Sequence, residues 1–345
     1  MNIKNILSVL SAVFILVSCE RSVEFDTGIT NPYVVVNSFV SPDSQIVAHV
    51  SVSRFFLKDS IDFRNENNAE VNLWVNGILK EKLTNDTLGI YTGNYKPTLS
   101  DNLKLTVNVP QMKEVSATTD FVEAPVILAA DTQVVYGSKR LLTCGPNCYD
   151  TVGIRYSYKV NFKLKFTDNA NQKNYYRLLV RKITYTGNWN DDTYNIDTVA
   201  NNDLPSYGAF DFTDVISGNT KNPLTADDTN ALSGLMLDQN NDYHVFSDDL
   251  INGKTYTLEF NTNHETDRFF LIDNLRYAYG NTLRNEIYVS LQSISKEYYQ
   301  YLLTRAASKT INYFSEPIQV YTNIKGGVGI LGSYTTSNIV KIDLP

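Results

Sequence analysis

The segment IRYSYKVNFKLKF, residues 154–166, places an apolar or aromatic side chain at every second position. Successive side chains of a β-strand point to opposite faces, so these alternate residues share one face. No other alternation in the chain is as long. We therefore predict a long β-strand here, and its buried face is formed by Ile154, Tyr156, Tyr158, Val160, Phe162, Leu164 and Phe166.

Shorter runs of the same kind precede residue 125. Val71 and Val75 belong to a run that ends at Asn76-Gly77, a pair that accepts the positive φ of a type I′ hairpin turn. With further alternation within residues 33–39, 46–52, 103–109 and 115–121, the pattern indicates about seven short strands. We predict an immunoglobulin-like β-sandwich over residues 31–124, which ends near Pro125 because proline interrupts strand pairing.

Residues 125–345 are predicted to form a larger antiparallel β domain. Besides the long strand, this region contains further strand-like segments, and Asn- and Asp-rich stretches around residues 189–203 and 219–230 indicate long loops. One short helix near the C-terminus is predicted after Ser295, which can cap it. Its apolar residues recur at spacings of three and four: Tyr298, Tyr299, Leu302, Leu303 and Ala306. The predicted fold class is all-β.

The first 18 residues read as a processing signal. Lys4 precedes an apolar stretch from Ile6 to Val17, which is shorter than the roughly 20 residues that a membrane-spanning helix needs. The tetrad Leu-Val-Ser-Cys, ending at Cys19, resembles the lipobox of bacterial lipoproteins. The resemblance implies cleavage before Cys19 and lipidation of that residue, and residues 19–30 then form a flexible tether. The alternative is an ordinary secretory signal with a chance cysteine.

The charge of the chain bears on its location and partners. Glu20, Glu24 and Asp26 follow Cys19 and resemble the acid-rich export signal of Bacteroidetes surface lipoproteins, which implies the outer membrane and exposure at the cell surface. The whole chain of 345 residues carries 30 basic and 37 acidic residues, a formal net charge of −7. Because the chain has no basic patch, nucleic acid is an unsuitable partner.

Two of the cysteines lie close together in the sequence. Cys144 and Cys148 flank Gly-Pro-Asn, which can turn the chain back on itself, and a local disulfide fits an exported protein. Zinc is the alternative, but His49, His244 and His264 are scattered along the chain. The sequence therefore favours a disulfide between Cys144 and Cys148.

A calcium site is a further hypothesis, drawn from the segment DQNNDYHVFSDD at residues 238–249. Oxygen-bearing side chains recur there at calcium-loop spacings, in Asp238, Asn240, Asp242 and Asp249. Tyr243 occupies the position where a helix-loop-helix calcium site needs glycine. A solvated turn is the competing interpretation, and the sequence otherwise predicts no metal site and no cofactor.

No motif for catalysis is found in the sequence. Adjacent aspartates, such as Asp248-Asp249, would point to opposite faces of a strand and do not form a glycosidase pair. The glycine-rich segment at residues 325–332 lacks the lysine and hydroxyl of a nucleotide loop and is predicted to let a strand bend. If the chain binds a ligand, Trp189 and Tyr194 in the Asn-rich loop are the first candidates.

Four segments together resemble one protein family. They are YVVVNSFVSPDS at residues 33–44, FSDDLINGKTYTLEF at 246–260, SISKEYYQYLLT at 293–304 and FSEPIQVYTNIKGGVGILGSY at 314–334. The chain is similar to Bacteroidetes lipoproteins that contain a domain of unknown function, DUF4249. The most specific part of the resemblance is Glu316-Pro317, followed by Asn323 and the glycines.

The resemblance implies a role in nutrient uptake, because such lipoproteins are associated with TonB-dependent outer-membrane transporters. We expect a non-catalytic accessory lipoprotein that docks on the transporter and its substrate-binding lipoprotein and helps to capture or hold a peptide or glycan. A free-standing peptide- or glycan-binding lipoprotein is the first alternative, and a hydrolase is the second. The resemblance supplies no catalytic residues.

Overall fold

The computed structural model describes residues 32–53, 64–142, 151–190, 195–202, 210–211, 243–269, 281–309 and 318–344. The predicted signal, residues 1–18, and the predicted tether, residues 19–30, lie outside this range. Among the described residues, no helix has the length and hydrophobicity that crossing a lipid bilayer requires.

Strands dominate the described part of the chain. In chain order they are β1 (Val34–Val40), β2 (Val47–Val52), β3 (Arg64–Asn65), β4 (Glu70–Val75), β5 (Ile78–Lys82), β6 (Thr84–Asn85), β7 (Ile90–Thr92), β8 (Asn102–Asn108), β9 (Val115–Asp120), β10 (Val126–Leu142), β11 (Thr151–Thr167), β12 (Tyr175–Asn190), β13 (Asn195–Asn202), β14 (Phe210–Asp211), β15 (Val245–Ser247), β16 (Thr255–Phe269), β17 (Asn281–Ile294), β18 (Val328–Thr336) and β19 (Val340–Leu344). One helix, α1 (Lys296–Ser308), lies within the same ranges. The prediction of an all-β fold with a short helix near the C-terminus is confirmed.

The strands form three sheets. The largest, called the central sheet, runs in the order β13-β12-β17-β18-β1-β2-β7-β6, with β15, β19 and β3 paired to β12, β17 and β2. The first small sheet runs β5-β4-β8-β9, and the second small sheet runs β10-β11-β16-β14. Pairing is antiparallel throughout these named strands, except that β1 and β18 are parallel.

Each small sheet encloses a hydrophobic core against the central sheet. The first core joins alternate residues of β1 and β2, such as Val36 and Val50, to those of β4 and β8, such as Leu73 and Leu105. The second core joins β11 and β16 to β12 and β17. Of the face predicted to be buried in residues 154–166, Val160, Phe162, Leu164 and Phe166 are buried, whereas Tyr156 is half-buried.

The helix packs on the opposite face of the central sheet. In β18, Leu331 belongs to the first core, whereas its neighbour Ile330 packs in a cluster with the helix, so the two lie on opposite faces. Ser295 caps the helix as predicted, and its side chain accepts a hydrogen bond from the backbone of Tyr298. Of the predicted stripe, Tyr298, Tyr299 and Leu302 are buried, whereas Leu303 and Ala306 are half-buried. Tyr301 and Ala307 are also buried.

One turn and one strand contain the glycine signals seen in the sequence. Asn76 and Gly77 both have positive φ, 52° and 81°, and join β4 to β5 as a two-residue hairpin. The glycine-rich segment enters β18, where Gly329 has a φ of 114° and a Cβ would lie 2.8 Å from the carbonyl carbon of Val36. The glycine therefore permits the close approach of β18 to β1.

The segment just before the predicted boundary accepts hydrogen bonds from β18. The Ser333 hydroxyl donates to the carbonyl of Asp120, and the Thr335 hydroxyl donates to the carbonyl of Val122 at 2.7 Å. Because β1 from the first predicted region pairs with β18 from the second, the central sheet contains strands of both. The boundary at residues 124 and 125 stays a prediction.

Candidate functional site

Most of the predicted site residues lie outside the described part of the chain. These are Cys19, Cys144, Cys148, Tyr194, Asp238, Asn240 and Asp242. The predictions of lipidation, of a disulfide and of calcium binding are therefore still predictions. Trp189 lies in β12, where its backbone pairs with Ile196 of β13, so this candidate is on a strand of a hairpin rather than in a loop.

Asp249, the last residue of the calcium hypothesis, is held by nearby side chains. Its carboxylate accepts a hydrogen bond from the Ser247 hydroxyl and forms an ion pair with the ammonium group of Lys173. Among the described residues, no group of three or more histidine, cysteine or acidic side chains could hold a metal ion. In the described part of the chain, this carboxylate links two loops.

Those loops form what we call the hairpin joint, residues 168–174 between β11 and β12 and residues 248–254 between β15 and β16. Each loop connects a strand of the central sheet to a strand of the second small sheet. Asp248 is fully buried and accepts a hydrogen bond from the backbone of Asn174 at 2.7 Å. Its other oxygen lies 2.8 Å from the Lys173 ammonium. A buried carboxylate needs such partners, because an unpaired buried charge costs several kcal/mol, of order 3–5.

Asp168 makes the second half of the hairpin joint. One carboxylate oxygen accepts the backbone N–H of Gly253 at 2.7 Å, and the other accepts the hydroxyl of Tyr176 at 2.5 Å. Burial and the adjacent carboxylate of Asp168 raise the pKa of the Tyr176 hydroxyl. The tyrosine therefore stays protonated as a donor, and both acidic residues serve to join the two loops.

A charged and tyrosine-rich group lies on the other face of the central sheet, where β12, β17 and β19 meet. We call Tyr185, Glu286, Tyr288 and Lys341 the charge network. One oxygen of Glu286 accepts both tyrosine hydroxyls, at 2.9 and 2.8 Å, and the other accepts the Lys341 ammonium at 2.9 Å. Lys341 also pairs with Asp343 at 3.2 Å.

The electrostatics of the charge network fix its protonation. Hydrogen bonds from Lys341 and Tyr288 lower the pKa of Glu286 to about 2, while hydrogen bonds to Glu286 and Asp343 raise the pKa of Lys341. A general acid or base is most effective when its pKa lies near the working pH. Glu286 is an ionised acceptor at neutral pH and ties three strands together, which is unlike an acid or base set for proton transfer.

Aromatic side chains surround the helix on the same face. Phe39 of β1 contacts Tyr298 with ring centroids 4.8 Å apart, and Tyr175 of β12 contacts Tyr299 at 4.7 Å. The buried Arg177 donates a hydrogen bond to the Tyr298 hydroxyl at 2.9 Å. These contacts anchor the helix to β1 and β12, so the tyrosines are packing residues.

The ends of β11 and β12 that are remote from the hairpin joint are called the far end. From the joint, β11 and β12 run 17 and 16 residues, to Thr151 and Asn190. The described residues that border the predicted disulfide segment and Tyr194 are thus the strand ends remote from the joint, beyond the second core, which reaches Val160 and Val180. The topology also places the Trp189 hairpin there.

The start of β1 lies in the other direction along the central sheet. β17 pairs with β12 from Asn281, at the far end, to Ser293, and its last residue Ile294 pairs with Tyr334 of β18. From Tyr334, β18 extends back to Val328, which pairs with Val35 near the start of β1. The register therefore separates the start of β1 from the far end.

Comparison with known proteins assigns the chain to a family. The sequence model of a family described as a domain of unknown function, DUF4249, matches residues 20–339. The chain belongs to the DUF4249 family. No curated protein matches the chain.

In this DUF4249 member, the segments that carry the family resemblance have structural roles. Residues 246–260 supply one loop of the hairpin joint, and residues 293–304 supply the helix cap and the first turns of the helix. In the last segment, the Asn323 side chain accepts the backbone N–H of Leu331 at 2.9 Å and donates to its carbonyl at 2.8 Å. Glu316 and Pro317 lie outside the described residues.

Sequence reasoning missed the hairpin joint and the charge network. Asp168 directly follows the long strand, but its partner Gly253 is 85 residues further along the chain. Glu286 and Lys341 are 55 residues apart. The sequence shows which residues lie on the polar side of each alternating strand. It does not show which of these polar residues will contact each other in the fold.

Proposed function

We propose that this DUF4249 chain is a non-catalytic surface lipoprotein, anchored to the outer membrane through Cys19. As an accessory component of a TonB-dependent nutrient uptake system, it docks on the transporter and its substrate-binding lipoprotein and helps to capture or hold a peptide or glycan. The observation that carries the proposal is the far end. There the Trp189 hairpin and the described borders of the Cys144–Cys148 and Tyr194 segments lie on strands that run away from the hairpin joint, and the start of β1 lies in the other direction.

The far-end hairpin has the form of a contact surface. β12 contributes to the second core only as far as Val180, and the strand continues to Asn190 with β13 as its partner from Ile183 onward. A hairpin that extends past the core can offer side chains to a partner without weakening the packing. Tryptophan is among the side chains that dominate binding energy at such surfaces.

The acidic residues support a binding role over catalysis. Asp168 and Asp248 are occupied in the hairpin joint, and Glu286 is occupied in the charge network with a pKa of about 2. Each therefore has a structural role. This agrees with a protein whose contribution is surface shape and binding energy.

The test is co-purification from solubilised outer membranes, with the tagged full chain as bait. Trp189→Ala should lower recovery of the transporter about tenfold or more, because truncating an aromatic anchor costs about 2 kcal/mol or more. Trp74→Ala is the matched control. Trp74 is the other tryptophan of the chain, lies in β4 of the first small sheet and donates a hydrogen bond to the Thr106 hydroxyl at 3.2 Å. Recovery with this control should equal that of the unchanged chain.

The same variants separate the competing functions. If no transporter is recovered but the unchanged chain binds peptides or glycans and Trp189→Ala does not, the chain is a free-standing binding lipoprotein. Hydrolysis of a peptide or polysaccharide that disappears on substitution of one Asp, Glu or His, with the fold retained, contradicts the proposal and supports an enzyme. Equal transporter recovery by both tryptophan variants would show that the far end is not part of the docking surface.

A further inference from the structure

β10 is a long strand at the edge of the second small sheet. It pairs with β11 along its length from Val126 to Leu142, and no described strand lies on its other side. An edge strand presents a row of N–H and C=O groups that can pair with another strand. Exposed apolar side chains line this one, among them Leu128, Val135 and Tyr136.

The sequence of β10 is complementary to itself when reversed. If two copies pair antiparallel about Val135, each Asp131 lies opposite Lys139 of the other copy, and Val134 lies opposite Tyr136. Opposite charges directly across an antiparallel pair stabilise it, and like charges destabilise it.

We propose that β10 pairs with β10 of a second copy of this chain, in an antiparallel register centred on Val135. In the resulting two-fold dimer, the second small sheet of one copy continues into the second small sheet of the other. The exposed β10 edge of each copy is thereby covered. The proposal does not rest on the transporter partnership. It concerns a different surface of the molecule, because the Trp189 hairpin belongs to the central sheet.

The dimer is compatible with two lipid anchors in one membrane. The two-fold axis of an antiparallel strand pair stands perpendicular to the sheet, and symmetry-related points lie at the same height along that axis. With the axis along the membrane normal, both chains start β1 at equal distance from the bilayer. Placement of both copies in the same leaflet rests on the proposed lipid anchor at Cys19, whereas the strand pairing itself does not.

Cysteine crosslinking on the intact chain in membranes tests the register. Val135→Cys should form a covalent dimer, because residues opposite each other across an antiparallel pair have Cα atoms about 4.5–5.5 Å apart, within disulfide reach. Leu128→Cys is the matched control on the same strand, with 55% exposure against 50% for Val135. Its two copies would lie about 46 Å apart at ~3.3 Å per residue, and it should not crosslink.

A charge exchange on the detergent-solubilised full chain tests the pairing independently of the introduced cysteines. Asp131→Lys or Lys139→Asp alone places like charges opposite each other twice in the dimer and should raise the dissociation constant about tenfold or more by sedimentation. The double variant restores opposite charges and should regain the dimer. Far-UV circular dichroism of each variant reports whether the monomer fold survives.

Each of the following results overturns the proposal. One is a monomer of the unchanged chain at every concentration tested. Another is crosslinking of Leu128→Cys as readily as Val135→Cys. The third is a double variant that dissociates as much as the single variants although its monomer is folded. Capture of a different protein's strand by β10, with the chain itself monomeric, would also contradict it.

Discussion

Replacing Gly329 by alanine tests the parallel pairing of β1 and β18, on which the continuity of the central sheet depends. At a φ of 114°, an added Cβ would overlap the carbonyl oxygen of Val36 and lie 2.8 Å from its carbon. The opposing atoms are backbone, so no side-chain rotation relieves the contact. The two strands must separate where they are in register from Val35 and Val328 to Val40 and Ser333.

The expected loss of stability has two parts. Positive φ at a non-glycine residue costs about 1–2 kcal/mol, and the loss of two or three ladder hydrogen bonds adds about 1 kcal/mol each. We therefore expect Gly329→Ala to lower the free energy of unfolding by about 3–5 kcal/mol. Urea denaturation of the purified chain, followed by far-UV circular dichroism, measures this change.

Gly77→Ala is the matched control for that experiment. Gly77 also has positive φ, 81°, but its added Cβ would meet nothing within 4 Å. This variant should lose only the conformational part, about 1–2 kcal/mol. If Gly329→Ala and Gly77→Ala lose the same free energy, the close approach of β18 to β1 is not what requires glycine, and the reasoning is refuted.

Three further predictions concern the charge network and the cysteines. Because Glu286 has a pKa of about 2 in the fold against an ordinary 4.5, its stabilising effect is complete above pH 4.5 and is lost as the pH falls toward 2. Urea midpoints measured from pH 7 to pH 2 should show this loss, and Glu286→Gln should flatten that part of the profile; an unchanged profile would contradict the assignment. Cys19→Ala should release the protein from the membrane fraction, and a variant that still resists carbonate washing would place the anchor elsewhere. Cys144 and Cys148 should appear as one disulfide-linked species in mass spectrometry of unreduced peptides, whereas two free thiols, or a metal that leaves when both become serine, would contradict the disulfide.

Local periodicity made much of the fold predictable. The alternation in residues 154–166 corresponds to β11, Asn76-Gly77 forms the predicted two-residue turn, and Ser295 caps the predicted helix. Each of these signals acts between residues that are close in the sequence, so the motif and the local structure that it specifies lie in the same segment. The glycine-rich segment was expected to let a strand bend, and its position against β1 shows a closer constraint.

The candidate site was less predictable for a physical reason. Trp189 was assigned to a loop because Asn and Asp surround it, but pairing with β13 extends β12 through it. Strand pairing is a tertiary choice that can override local composition. The hairpin joint likewise depends on Asp168 and Asp248 being buried beside backbone N–H groups that come from distant residues.

The sequence by itself determined the all-β class, the helix near the C-terminus with its cap and the membership of the DUF4249 family, because periodicity and local motifs carry these properties. Only the tertiary structure decided that β1 pairs parallel to β18 and that Glu286 meets Tyr185 and Lys341. Alternation predicts which side of a strand is apolar, but it does not predict which residues will contact the polar side. Partners there are chosen by backbone hydrogen bonding and packing between segments that are far apart in the chain.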